Sequence, residues 1–101
     1  MGFDQTDIMY DLKNNFYYPA LAYVSDVLGL TEKEAESYVH VDVDEFSNTM
    51  GDGFQIEVGA ELDYDDLMGL CEKLNPILEP WDENSYFEPV DSGIIAAYIW
   101  Y

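Results

Sequence analysis

The chain contains no arginine and only three lysines among its 101 residues. Against them stand 22 aspartates and glutamates, which give a formal net charge of −19 at pH 7. Small domains normally mix both signs of charge, because self-repulsion on this scale destabilises a compact state. The same charge disfavours direct binding to nucleic acid and to anionic membranes, since both repel a polyanion. It favours a partner with a strongly basic surface.

Cysteine is nearly absent too, and this excludes an internal disulfide. The single Cys71 lies among Leu67, Leu70 and Leu74, so we expect a small buried residue and not a nucleophile. No apolar run approaches the ~20 residues that span a bilayer. The N-terminus also lacks the basic region and apolar run of a signal peptide. The sequence therefore predicts a cytoplasmic protein without a membrane partner.

The apolar content separates this chain from acidic disordered tails, which have few aromatic residues. Hydrophobic residues make up 49% of the sequence and aromatic residues 16%. The acids are spread along the whole length and are not gathered in a tail. We therefore expect a single folded domain over residues 1–101, with an acidic surface.

Apolar residues at helical spacing predict a first helix through Ile8, Leu12 and Phe16. Pro19 either kinks this helix or opens a second one, over residues 20–28, that Gly29 ends. Thr31 and Glu34 have the spacing of a capping box and predict a short third helix. A further helix, capped by Asp63, is expected to end at Asn75 and Pro76.

Four strands are expected. Apolar and polar residues alternate over residues 40–44 and 54–58, and the dipeptide Asp52-Gly53 favours a hairpin turn between them. Tyr86 and Phe87 lead a third strand that Pro89 either shortens or places at an edge. Residues 94–100 are almost wholly apolar and predict a central strand that is buried on both faces. The order of elements indicates an α+β fold, with helices packed on a small antiparallel sheet.

No motif for catalysis or metal binding emerges. An EF-hand loop that starts at Asp42 fails at its fifth, sixth and twelfth positions. His40 and Cys71 cannot supply a structural zinc set, and no Gly-rich phosphate loop is present. Three acids near position 65 most simply form the first turn of a helix. The sequence predicts no enzyme, no catalytic residue, no cofactor and no metal.

The spacing of the carboxylates is more informative. Residues i and i+2 of a strand lie ~6–7 Å apart, about the interval between successive phosphates of one DNA strand. Residues three or four apart on a helix lie ~5–6 Å apart. The stretch around the first strand and the N-terminus of the last helix meets both conditions. The residues predicted to bind a partner are Glu32, Glu36, Asp42, Asp44, Glu45, Asp63, Asp65 and Asp66.

In charge and length the whole chain resembles the acidic DNA-mimic inhibitors of phages and mobile elements, such as anti-CRISPR and anti-restriction proteins. No sequence motif carries this resemblance, so no residue role is transferred. It implies a non-enzymatic inhibitor in the cytoplasm of a host cell, which occupies the basic groove of a nucleic-acid-binding protein. A CRISPR effector or a restriction enzyme is the favoured target, and Tyr10, Tyr38, Tyr64 and Trp81 are candidate aromatic anchors.

Two alternatives stay open. An immunity protein against a nuclease toxin would have a similar charge. An acidic structural or adaptor protein would instead bind a basic partner through apolar contacts, at residues 16–18 or at the C-terminal strand. A homodimer through the aromatic C-terminus is compatible with each of these.

Overall fold

A computed structural model describes the backbone of residues 5–100 and the side chains of residues 8–100. Its helices are α1 (Gln5–Leu28), α2 (Glu32–Ala35) and α3 (Tyr64–Leu78), and its strands are β1 (Val39–Asn48), β2 (Gly51–Ala60), β3 (Glu88–Asp91) and β4 (Ile94–Trp100). A single 3-10 turn, Glu36–Tyr38, joins α2 to β1. The predicted α+β class, with helices on a small antiparallel sheet, is confirmed.

The four strands form one antiparallel sheet in the order β1-β2-β4-β3. Helices α1 and α3 pack against each other and against one face of this sheet. We call that face the covered face and the opposite one the open face. Because successive side chains of a strand point to opposite faces, each strand contributes alternate residues to both.

The hydrophobic core lies between the covered face and the two helices. Ile56 and Val58 of β2 and Ile95 of β4 are fully buried there. Phe16 of α1 is also fully buried, and its ring meets that of Phe87 edge to face, with centroids 5.3 Å apart. Cys71 lies in the same core, as predicted, and burial raises the pKa of its thiol.

Residues 5–28 form one helix, although Pro19 lies inside it. Proline removes a backbone hydrogen bond, so a helix that continues needs support from packing. Phe16, Ala20 and Val24 supply it, because they are fully buried at intervals of four residues on both sides of the proline. Helix α1 ends before Gly29, which has a φ of 67°, as predicted.

Both predicted helix caps are confirmed. The Thr31 hydroxyl accepts from the backbone N–H of Glu34, and the Glu34 carboxylate accepts in return from the Thr31 backbone. The Glu34 carboxylate accepts from the Thr31 backbone N–H and also from the Thr31 hydroxyl, and these two hydrogen bonds lower the pKa of Glu34. Asp63 caps α3 in the same way, with a 3.0 Å bond from the N–H of Asp66.

Three expectations were wrong in detail. Asp52 and Gly53 lie within β2, and the hairpin turns at residues 49–50, where the Asn48 side chain accepts from the N–H of Met50 at 2.8 Å. Helix α3 continues through Pro76 to the fully buried Leu78, which extends its apolar stripe. The third strand begins at Glu88, because the preceding Phe87 turns into the core. Its edge position is confirmed.

Strand β4 is central, as predicted, but it is not buried on both faces. Ile95, Ala97 and Ile99 lie in the core, whereas Tyr98 and Trp100 are 45% and 46% exposed. The reason is that both long helices pack on the same side of the sheet. Strand β4 therefore places Tyr98 and Trp100 on the open face.

Candidate binding surface on the open face of the sheet

The register of the sheet fixes which side chains share the open face. Strand β1 contributes His40, Asp42, Asp44 and Phe46; their partners on β2 are Gly59, Glu57, Gln55 and Gly53; and the next residues across, on β4, are Ile94, Ala96, Tyr98 and Trp100. Edge strand β3 adds Glu88, which pairs with Ala96. The open face is thus acidic in the middle and aromatic at the end nearest the β1–β2 turn.

One row of the open face carries carboxylates on three of the four strands. Asp42 lies directly opposite Glu57, and Ala96 stands between Glu57 and Glu88. Directly opposed like charges on neighbouring strands destabilise a sheet. Asp44 lies two residues along β1 from Asp42, at the ~6–7 Å spacing of alternate strand residues.

The lysines do not offset this charge. Lys13, Lys33 and Lys73 lie on α1, α2 and α3, respectively, and each side chain is exposed. On the open face, His40 Nε2 lies 3.8 Å from Asp42 Oδ2, and this ion pair depends on protonation of the histidine. The open face therefore presents its carboxylates to solvent without a permanent cation.

An aromatic cluster, Phe46, Tyr98 and Trp100, lies beside the acidic row. The Phe46 ring meets Tyr98 at 5.8 Å and Trp100 at 5.0 Å between centroids, both edge to face. Gly53 lies between Phe46 and Trp100 in the register, and a side chain there would clash with the Phe46 ring and with the carbonyl of Ile99. The Gln55 amide donates to the Tyr98 hydroxyl at 3.3 Å.

The eight acids predicted to bind a partner fall into separate groups. Asp42 and Asp44 share the open face, whereas Glu45 points to the other side of β1. Glu32 and Glu36 are exposed on α2 and on the 3-10 turn before β1. The remaining three lie at the start of α3, Asp63 as its N-cap and Asp65 and Asp66 in its first turn, and this helix packs on the covered face. A role of these eight acids in partner binding stays a prediction.

The acids at the start of α3 have a clear structural role. Asp63 caps the helix, and the Tyr23 hydroxyl of α1 donates to the backbone carbonyl of Asp66 at 3.0 Å. Partial burial and the charge of Asp63 raise the pKa of Asp66. Burial, followed by the charge of Asp66, raises that of Tyr23. Gly69 makes room for this contact, because a methyl group there would meet the Tyr23 hydroxyl.

The aromatic anchors named from the sequence differ in exposure. Tyr10 and Tyr64 are 66% and 65% exposed, and Trp81 is 40% exposed. Tyr38 packs partly against the core. The sequence reasoning did not find Phe46, Tyr98 or Trp100 as a surface cluster, nor Glu57 and Glu88 as parts of an acidic row. The alternation of Tyr98 and Trp100 with Ile99 was the available signal.

Three further observations limit the chemistry of the described residues. No polar or charged residue is buried among them. No group of three or more histidine, cysteine, aspartate or glutamate side chains in residues 8–100 is arranged to hold a metal ion. No helix in the described part of the chain is long and apolar enough to cross a membrane.

Comparison of the chain with protein-family models, with curated proteins and with solved structures gave no match.

Proposed function

We propose that the protein is a non-enzymatic inhibitor that occupies the basic nucleic-acid-binding groove of a host defence or DNA-processing enzyme. Its carboxylates replace nucleic-acid phosphates as partners of lysine and arginine side chains in that groove. A CRISPR effector or a restriction enzyme is the target class that we favour.

The open face of the sheet carries this proposal. It presents Asp42, Asp44, Glu57 and Glu88 on a broad, uncovered surface, while all three lysines lie on the helices. The opposition of Asp42 and Glu57 costs stability in the free protein. A groove rich in lysine and arginine would relieve that repulsion on binding and would exchange solvent contacts for charge-assisted hydrogen bonds.

The charge of the whole chain supports the same function. A net charge of −19 attracts a basic surface over long range, so association should be fast and should slow steeply as salt is added. A nucleic-acid mimic and its basic partner attract each other through this field. Salt dependence is therefore the property that separates charge mimicry from apolar recognition.

The test starts with capture of partners from a bacterial lysate at low and at high salt, with the retained proteins identified. A purified partner is then assayed for competition between this protein and DNA. We expect mutually exclusive binding that weakens steeply with salt. Simultaneous tight binding of DNA and this protein to one groove would contradict the proposal.

A double variant locates the binding surface. Asp42→Asn with Asp44→Asn should weaken partner binding by ~1–3 kcal/mol if those groups face desolvated lysine or arginine. The matched control is Asp26→Asn with Glu79→Gln, because it removes the same charge from exposed positions on α1 and just after α3. Equal effects of the two double variants would show that only net charge matters and would move the site away from the open face.

A second function is favoured by the aromatic cluster. Tyr98 and Trp100 are nearly half exposed on the C-terminal strand, as expected if an acidic adaptor protein binds its partner through apolar contacts there. Such binding would change little between low and high salt. An immunity protein against a nuclease toxin would share the salt dependence of the inhibitor, and the identity of the captured protein distinguishes those two.

A further inference from the structure

A shallow cleft of about 180 Å³ opens on the open face, where β4 meets the segment before β3. Tyr98 and Trp100 of the aromatic cluster form one side of it, and the other side consists of Asn84, Ser85, Tyr86 and Glu88. Glu88 pairs with Ala96, two residues from Tyr98 on the same face, so Glu88 and Tyr98 are diagonal neighbours, ~7–8 Å apart in the sheet. The cleft thus combines three aromatic side chains with one carboxylate.

The segment that borders the cleft is held by side-chain hydrogen bonds. The Asp82 carboxylate accepts from the Ser85 hydroxyl at 2.8 Å and from the backbone N–H of Trp100 at 3.3 Å. At the other end, the Asn75 side chain accepts from the N–H of Phe87 at 2.7 Å. Hydrogen bonds from Ser85 and Asn84 lower the pKa of Asp82, which keeps the carboxylate ionised and the segment in place. The cleft is therefore formed before any partner arrives.

This combination of groups matches the chemistry of a guanidinium ion. Its planar cation stacks on tryptophan and tyrosine rings, and its N–H groups pair with a carboxylate. A hydrogen bond to Glu88 and the charge of Glu88 raise the pKa of the Tyr86 phenol. The Asn84 and Ser85 side chains add polar groups at the rim.

The protein itself cannot fill the cleft with a guanidinium. The chain has no arginine, so neither this molecule nor a second copy can supply one. A second copy placed face to face would also oppose the acidic rows of both molecules, which is repulsive. Charge complementarity favours a foreign, basic partner.

We propose that this cleft binds an arginine side chain of the basic partner and is the specific anchor within the wider acidic surface. This inference rests on the proposed function, because the basic partner proposed there supplies the arginine. It adds a distinction that net charge does not make, because a lysine has the same charge and cannot form a planar, paired contact.

The test uses the intact protein and two peptides of equal charge. One peptide contains two arginines separated and flanked by glycine. The other has the same sequence with each arginine replaced by lysine. Each is titrated into ¹⁵N-labelled protein while the indole N–H signals of Trp100 and Trp81 are followed. We expect a saturable shift of the Trp100 signal, a much smaller change at Trp81, and affinity for the arginine peptide roughly fivefold above that for the lysine peptide.

Glu88→Gln should weaken binding of the arginine peptide roughly tenfold, because it removes the charged acceptor. The matched control Glu79→Gln removes the same charge outside the cleft and should change affinity less than about twofold. A Trp100→Phe variant assigns the indole signal and retains an aromatic ring.

Two outcomes would overturn the inference. Equal affinity for both peptides, with equal effects of the two glutamate variants, would leave only a diffuse charge field. A Trp100 signal that moves with protein concentration in the absence of peptide would identify the aromatic cluster as a contact between copies. Neither outcome touches the competition with DNA, so failure here and failure of the proposed function are separate results.

Discussion

On strand β2, Ile56 and Glu57 are neighbours in the chain, yet they serve opposite surfaces. Ile56 is fully buried between the sheet and the helices, whereas Glu57 faces Asp42 on the open face. The same contrast recurs on β4 between Ile99 and Trp100. Alternation along a strand therefore lets one set of residues stabilise the fold while the adjacent set carries charge and aromatic groups.

The difference between the covered face and the open face explains how the chain tolerates its charge. On the covered face of the sheet, apolar burial on α1 and α3 supplies stability. The open face contributes a destabilising opposition of carboxylates and only partial burial of its rings. Surfaces that serve recognition commonly cost stability. Here the cost of opposing Asp42 and Glu57 lies on the open face, away from the hydrophobic core.

The largest expected effect comes from phenylalanines on opposite faces. Phe16→Ala should lower the free energy of unfolding by ~3–5 kcal/mol, because it opens a cavity beside Phe87 in the core. Phe46→Ala should cost only ~1–2 kcal/mol, since that ring is partly exposed on the open face. Urea unfolding followed by circular dichroism measures both. Equal losses would mean that the aromatic cluster is a second core.

A pair of glycines tests the open face at finer scale. Gly53→Ala should cost ~1–3 kcal/mol, because the new methyl meets the Ile99 carbonyl and the Phe46 ring. Gly59→Ala should cost much less, since only the His40 ring stands in the way and that side chain is 65% exposed and free to turn aside. Thermal unfolding of the two variants checks this order. A larger loss for Gly59→Ala would show that His40 is fixed in place.

Local signals in the sequence predicted much of this architecture. The capping box at Thr31 and the Asp63 cap were confirmed because each depends on side chains within three residues. The alternation in β1 and β2 gave the strands and identified Asp42 and Asp44 as neighbours on one face. These features involve contacts close along the chain.

Apart from the misplaced hairpin turn, the errors came from contacts that are distant along the chain. Neither Pro19 nor Pro76 ended a helix, because packing against the rest of the core sustained the buried stripe on both sides. The apolar run of β4 gave no sign that both long helices would pack on one side. The acidic row and the cleft at Glu88 join strands that are distant along the chain. Strand β3 begins at Glu88, 49 residues after β1 begins at Val39. No pattern in a single sequence specifies the register between such strands.

The smallest expected effect concerns the charges of the open face alone. Glu57→Gln should raise the free energy of unfolding by ~0.2–1 kcal/mol, because it removes the repulsion from the directly opposed Asp42. Glu83→Gln, at an exposed position in the segment between α3 and β3, serves as the control of equal charge. The difference between the two variants should shrink when sodium chloride is raised, because salt screens exposed charges that lie farther apart than the Debye length, which falls from ~10 Å at 0.1 M to ~3 Å at 1 M. Urea unfolding at both salt concentrations measures it. If Glu57→Gln is less stable than the control at low salt, Glu57 makes a favourable contact on the open face. The acidic row would then not destabilise the free protein, and partner binding would have no repulsion to relieve.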